Sequence, residues 1–365
     1  MSFKRSRSNV VEKSLSAQEQ QEKISEVKQS LGHVCEKLPA VCSDASVLRY
    51  LRARNWNVKK ASKMLKDSIK WRLQFRPEKI RWEDIAAEAE RGRVYKADYF
   101  DKLGRTVLVM RAGLQNTSST SGQIKYLVFC LENAIMHSRP EQEQMVWLID
   151  FQGWNMSSIS VKVTRETAHI LQDHYPERLG LAIMYNPPKI FESFWTMVKP
   201  FIEPKTYKKV QFIYSVGPQA QKVMEQYFNM EELDSAFGGK NTRGFDFKAY
   251  DERMKEEERK KWEMVQSSTC PSPVYTSSIT SETLSDSLIS ELESDEDDAL
   301  PDSEEPTSSN LNELEEKLQQ LPLDYNDDEN ANGKKIHESP FSVSNKGVPD
   351  SEEQPHKGEL SSKPT

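Results

Sequence analysis

Charged groups and a greasy segment lie close together in the stretch Asp173–Tyr214, DHYPERLGLAIMYNPPKIFESFWTMVKPFIEPKTYKKVQFIY. Glu177 stands just before one strand-like run, Leu181–Tyr185. Lys205, Lys208 and Lys209 stand just before a second, Val210–Tyr214. Between the two runs, Ile190, Phe191, Phe194, Trp195, Val198 and Phe201 recur at the spacing of one broad helical face. Asn186-Pro187-Pro188 opens that helix, because a missing N–H costs nothing in a first turn. An oily helix with charges at both flanks suits a lid over a cavity for a ligand with an apolar body and an anionic head. The plainer alternative is a buried helix connecting two strands.

Tests for reactive chemistry return little. The chain has no GxSxG elbow and no HExxH pair. Gly238-Gly239-Lys240-Asn241 departs from a phosphate loop: the loop's first glycine would fall at Asp234, and Asn241 sits where Ser or Thr is needed. His169 and His174 flank Asp173 but lack a third ligand, so they read as core or surface histidines and no metal is expected. Glu166, Asp173 and Glu177 are acids without a nucleophile to serve, and no enzyme is predicted. Arg49, Arg52 and Arg54 with Lys59-Lys60 are basic, yet they match no nucleic-acid reading element, and no nucleic-acid partner is expected.

The elements that must position these groups follow from pattern. Residues 1–21 read as a disordered basic arm. A short helix is predicted from Glu22 to Leu38, with Ile24, Val27, Lys28 and Leu31 on one face. Ser43 or Asp44 can cap a helix running to about Arg54. A further helix, Val58–Phe75, stops before Pro77, and these helices make a module over 22–80 too small to build much core alone. From Val94 short apolar strands alternate with helices: strands Thr106–Met110, Met145–Ile149, Leu181–Tyr185 and Val210–Tyr214, and helices Gly122–Met136, Ser160–His174 and Gln219–Phe228. Continuous apolar strands separated by helices imply an α/β fold with a mostly parallel sheet over 87–247. A charged helix occupies 248–266. Residues 267–365 read as a disordered, acidic, Ser-rich tail.

The net charge of −7 conceals two unlike parts. Residues 267–365 hold 6 Lys+Arg against 23 Asp+Glu, whereas residues 1–266 hold 44 against 34. The basic body suits transient contact with anionic membranes. No run of eighteen apolar residues is present, and the four cysteines are scattered, so a cytoplasmic, peripherally membrane-associated protein is expected.

LRYLRARNWNVKKASKML followed by IKWR resembles the N-terminal helical module of the CRAL-TRIO lipid-transfer family. HYPERLG, the Asn-Pro-Pro start, KPF within the greasy helix and FGGK are similar, in order, to that family's lipid-binding domain, and most of all to the yeast-type phosphatidylinositol/phosphatidylcholine transfer proteins. The resemblance covers about residues 43–245. It implies a helical module packed on an α/β lobe whose sheet floors an apolar pocket for one phospholipid, with no other cofactor, gated by helix 188–201. It assigns Arg54, Asp101, Glu177, Thr206 and Lys209 to a phosphatidylinositol headgroup. Arg54 and Lys209 would bind the phosphodiester, and Asp101, Glu177 and Thr206 the inositol hydroxyls. A salt bridge between Arg54 and Glu177 tying the two lobes is the structural alternative. The positions matching the choline site carry Ala97, Leu108, Met145 and Trp147, which have lost its hydroxyls and aromatic pair. A second ligand other than phosphatidylcholine, such as a sterol or another hydrophobe, is therefore expected. The implied function is phosphatidylinositol binding and transfer. The alternative is a lipid-gated adaptor whose acidic tail binds a protein partner or is phosphorylated, Ser294 and Ser303 being candidate sites.

Overall fold

In the computed structural model, residues 15–114, 119–139, 141–155, 160–199, 202–214, 217–266, 287–290 and 292 are described. All of them fall within the unit Met1–Leu321. Helix α1 (Ala17–Leu31) begins where Ser16 and Glu19 satisfy each other's backbone N–H groups in a reciprocal capping box. That local chemistry starts the helix inside the stretch expected to be unstructured, five residues before Glu22. α1 buries Ile24, Val27 and Leu31, whereas Lys28, expected on the same face, pairs with Asp44. Gly32, at φ +52, separates α1 from α2 (His33–Lys37), so the predicted single helix is two.

Helix α3 (Asp44–Ala53) and α4 (Val58–Phe75) follow. Asn55 and Trp56, both at positive φ, turn the corner between them, and the Asn57 side chain accepts the Lys60 N–H at 3.0 Å to start α4. The apolar faces of α1, α3 and α4 make one cluster around Val27, Leu51 and Leu65. Leu288, on a helical turn at 287–290, and the helical Leu292 belong to the same cluster. The turn lies inside the stretch 267–365 expected to be disordered, at a local apolar pair at i, i+4 that the acidic average composition conceals.

Helix α5 (Trp82–Ala89), which the periodicity did not reveal, opens the lobe; its Trp82 is buried and donates its indole N–H to Asp251 at 2.7 Å. The sheet contains β1 (Val94–Phe100), β2 (Thr106–Arg111), β3 (Met145–Asp150), β4 (Leu179–Tyr185) and β5 (Val210–Ile213), in that order across the sheet. β1 is antiparallel to β2 and every other pairing is parallel, which matches the predicted mixed α/β class. Helix α6 (Thr120–Met136) crosses between β2 and β3. α7 (Val161–His169), capped by Ser160, continues as a π-helical turn, Ile170–His174. α8 (Phe191–Val198), α9 (Pro204–Tyr207), α10 (Pro218–Tyr227) and α11 (Phe247–Gln266) complete the order. No described helix is long and apolar enough to cross a membrane.

Polar bonds tie the helical module to the lobe. Arg72 of α4 reaches Glu132 of α6 at 2.8 Å, and the Tyr175 hydroxyl donates to the same Glu132 oxygen at 2.6 Å. Burial alone would raise the Glu132 carboxyl. Arg72 and the two hydrogen bonds overcome that and hold it below the ordinary carboxylate range. Trp71 stacks on His174 at 4.2 Å, and Ser68 lies 3.3 Å from the His174 ring.

Candidate functional site

The register sorts the sheet into two faces. Met110, Ile149, Met184 and Phe212 pair across the strands, as do Leu108, Trp147, Ala182 and Val210, so all eight share one face. Helix α8 lies on that face. Phe191 meets Phe151 at 4.4 Å and Trp154 at 5.4 Å, and Trp195 meets Phe212 at 5.3 Å. Phe191, Phe194 and Trp195 are all buried. The expected helix 188–201 is shorter at its start: the Pro188 carbonyl accepts the Phe191 N–H at 2.9 Å in a turn, and Asn186 at φ +50 holds the chain out of helix before it. Ile190 is half-buried at the helix start. The Val198 side chain and Phe201 lie outside the described residues. The Trp195 indole N–H is buried with no hydrogen-bond partner.

Because β2 to β5 are parallel, the segments entering them gather at one edge of the sheet. Glu177, at φ +58, enters β4 and Lys209 enters β5; their side chains pair at 3.0 Å, each about four-fifths buried. Arg54 ends α3 and binds Glu203 at 2.8 Å and Asp173 at 3.7 Å. Two separate pairs thus replace the Arg54–Glu177 bridge weighed from the sequence. Thr206 sits in α9, its carbonyl accepting the Lys209 N–H at 3.0 Å. Asp101 is otherwise engaged. Its carboxylate accepts from the N–H groups of Leu103 and Arg105 at 3.0 and 2.8 Å and pairs with the Arg105 guanidinium at 2.6 Å. The turn before β2 therefore uses Asp101 structurally.

Sequence reasoning missed Glu203, Gln172 and the pairing role of Asp173. The Gln172 side chain accepts the Glu203 N–H at 2.7 Å, and Lys205 donates to the Arg52 carbonyl at 2.7 Å. The segment 202–209 leads out of α8 into β5, so it is gripped by the module on one side and by the π-helical turn on the other. The only sequence signal was a charged run, EPKTYKK, beside an oily helix.

Leu108, Met145 and Trp147 are buried on the face that α8 covers, Met145 by its alternation with Trp147. Ala97, also buried, follows Lys96 within the register shift on β1, where it has no partner on β2. His169 faces Asp173 at 2.5 Å, while His174 stacks on Trp71. Among the described residues no group of three or more His, Cys, Asp or Glu is placed to hold a metal.

The family model of the CRAL/TRIO domain matches residues 90–239, and that of the CRAL/TRIO N-terminal domain matches residues 15–67. Together they cover more than half of the chain, which belongs to the CRAL-TRIO family. A CRAL-TRIO domain-containing protein of Schizosaccharomyces pombe is 37% identical over 194 residues, covering 53% of this chain and 18% of that protein. The phosphatidylinositol transfer protein PDR17 of Saccharomyces cerevisiae is 29% identical over 205 residues, covering 53% of this chain and 56% of its own length. The SEC14 cytosolic factor of Candida glabrata is 28% identical over 217 residues, covering 54% and 71%. The first two relatives are thus matched over little more than half their length or less. The crystal structure of Sfh5 has the same fold, with a TM-score of 0.52 at 14% identity over 65% of this chain and 92% of that one.

Proposed function

We propose that the chain binds phosphatidylinositol and carries it between membranes as a lipid-transfer protein rather than an enzyme. Family membership and the similarity to the phosphatidylinositol transfer protein PDR17 support the reading. The observation that carries it is helix α8, whose aromatic side chains rest on an apolar sheet face while its exit segment is held by ion pairs. A lipid's acyl chains would take the space those rings fill, with α8 swinging outward. Burying about thirty CH₂ groups at ~0.8 kcal/mol each favours the protein over water, but a bilayer offers the same gain. Selectivity therefore rests on the headgroup. Lys209 and Arg54 would exchange their carboxylate partners for the phosphodiester, and Glu177 and Thr206 would meet inositol hydroxyls. In the test, Lys209→Ala lowers phosphatidylinositol exchange between vesicles about tenfold. Unchanged exchange would sink the site assignment.

The apolar, buried side chains of Leu108, Met145 and Trp147 support a second ligand that is a sterol or another hydrophobe, not phosphatidylcholine. Mass spectrometry of co-purifying lipids tests this, and abundant phosphatidylcholine would overturn it. Docking on anionic membranes by the basic body, from a cytoplasmic pool, completes the cycle. The second reading, a lipid-gated adaptor, is supported by the tail turn packed into the helical module. Deleting residues 267–365 separates the two: an adaptor loses its protein partner while exchange persists.

A further inference from the structure

The tail carries a feature that the lipid reading does not use. Leu288 is 0% and Leu292 2% exposed, as deeply buried as the residues native to the module. They share an apolar cluster with Ile24 and Val27 of α1 and Met64 and Leu65 of α4, and Ile289 packs partly against it. Leu288, Ile289 and Leu292 stand at i, i+1 and i+4, the narrow apolar stripe of a single helical turn. A side chain with no exposed area fills a hole rather than resting on a flat surface. The groove on the module and the turn at 287–290 therefore fit as knob and socket. Ser287 and Ser290 lie on the outer side of that turn, both exposed.

Ser290 is followed by Glu291-Leu292-Glu293-Ser294-Asp295-Glu296-Asp297-Asp298. A serine with a carboxylate three residues on, inside an acidic run, is the substrate pattern of a serine kinase that selects acidic side chains. We infer that 287–292 is a clip docked in cis on the helical module, and that Ser290 is the modification site that releases it. The reaction moves the γ-phosphoryl group of a nucleoside triphosphate to the Ser290 Oγ, with loss of the hydroxyl proton and departure of the nucleoside diphosphate.

Electrostatics gives the direction. The phosphate adds a charge of about −1.5 to −2. It lies next to Glu291 and near Glu293 in sequence, whose like charges it repels. The added charge therefore works against the docked turn, and apolar burial alone must hold it. The inference stands independently of the lipid reading, since it concerns the outer groove of the module and not α8 or the sheet.

Hydrogen exchange on the full-length protein tests it. Amides of 287–292 should exchange at least tenfold more slowly in the unmodified protein than in the variant Leu288→Asp/Leu292→Asp. Treatment with an acid-directed serine kinase and nucleoside triphosphate, in a Ser294→Ala background, should phosphorylate Ser290 and abolish that protection, while Ser290→Ala keeps it. Failure of Ser290 to be phosphorylated, fast exchange in the unmodified protein, or equal protection after phosphorylation would each overturn the proposal. A second measurement is independent of how the variants fold. A synthetic peptide of residues 282–298, titrated into the full-length double variant, should bind at least tenfold more weakly when it carries phosphoserine at 290. Equal binding of the two peptides overturns the release step.

Discussion

Arg72 and Glu132 are the most consequential pair of single residues between module and lobe. Both are nearly inaccessible, and Glu132 also holds the Tyr175 hydroxyl. Removing one partner of a buried pair leaves the other charge without compensation, which costs about 3–5 kcal/mol. Arg72→Ala should therefore lower the urea midpoint markedly, whereas Arg72→Met combined with Glu132→Leu should recover much of the loss. His174 makes a different kind of contribution. Burial against Trp71 and Ser68 of the module holds its pKa down, at about 4, from a usual value near 6.5. A depressed histidine binds fewer protons in the native state than in the unfolded chain between those values. Its contribution is complete above pH 6.5 and declines as pH falls toward 4, by about 3 kcal/mol at the limit. His174→Phe, which keeps the stack on Trp71, should flatten that decline when unfolding is followed by urea titration at pH 7 and pH 4.5.

Helix α8 is the element on which ligand exchange would depend. It has eight residues, and Pro200 follows it within two, so little backbone hydrogen bonding opposes its displacement. Its rings supply most of what holds it, and the Trp195 indole N–H adds an unpaired buried donor that weakens the seat. Trp195→Phe should therefore change stability by less than about 1 kcal/mol, because it removes an unsatisfied group and keeps a ring. Trp195→Ala should cost about 3–5 kcal/mol and speed lipid exchange, because it opens a cavity under the helix. A large loss on Trp195→Phe, read by chemical denaturation, would mean that the indole N–H has a partner in solution.

Two apolar clusters, one of helices and one around the sheet, organise the whole molecule, and charge is divided between a basic body and an acidic tail. Deleting residues 293–365 keeps the docked turn and removes most of the acidic charge. Binding to vesicles containing phosphatidylserine should then rise severalfold at physiological salt and fall again at higher salt, as expected for screened attraction. Co-sedimentation measures both, and unchanged binding would show that the tail does not shield the basic body.

The sequence by itself determined what repeats locally. The β strands are short continuous apolar runs, and the long helices carry 3.6-residue faces, so the mostly parallel sheet and the module helices α3 and α4 were legible. Motif order identified the family. The capping box at Ser16 and the turn at Leu288 were equally local, but they lay inside stretches whose bulk composition pointed to disorder. Only the tertiary structure decided the partners of the charged residues. Arg54 lies 149 residues from Glu203 and Lys209 lies 32 from Glu177. No spacing rule connects such positions, because they meet only after parallel strands bring their entry segments to one edge of the sheet. The same holds for Leu288 and Leu292, which become core only because the α1–α4 face leaves a socket for them; Asp101 is the opposite case, its carboxylate taken by residues two and four positions on in its own turn.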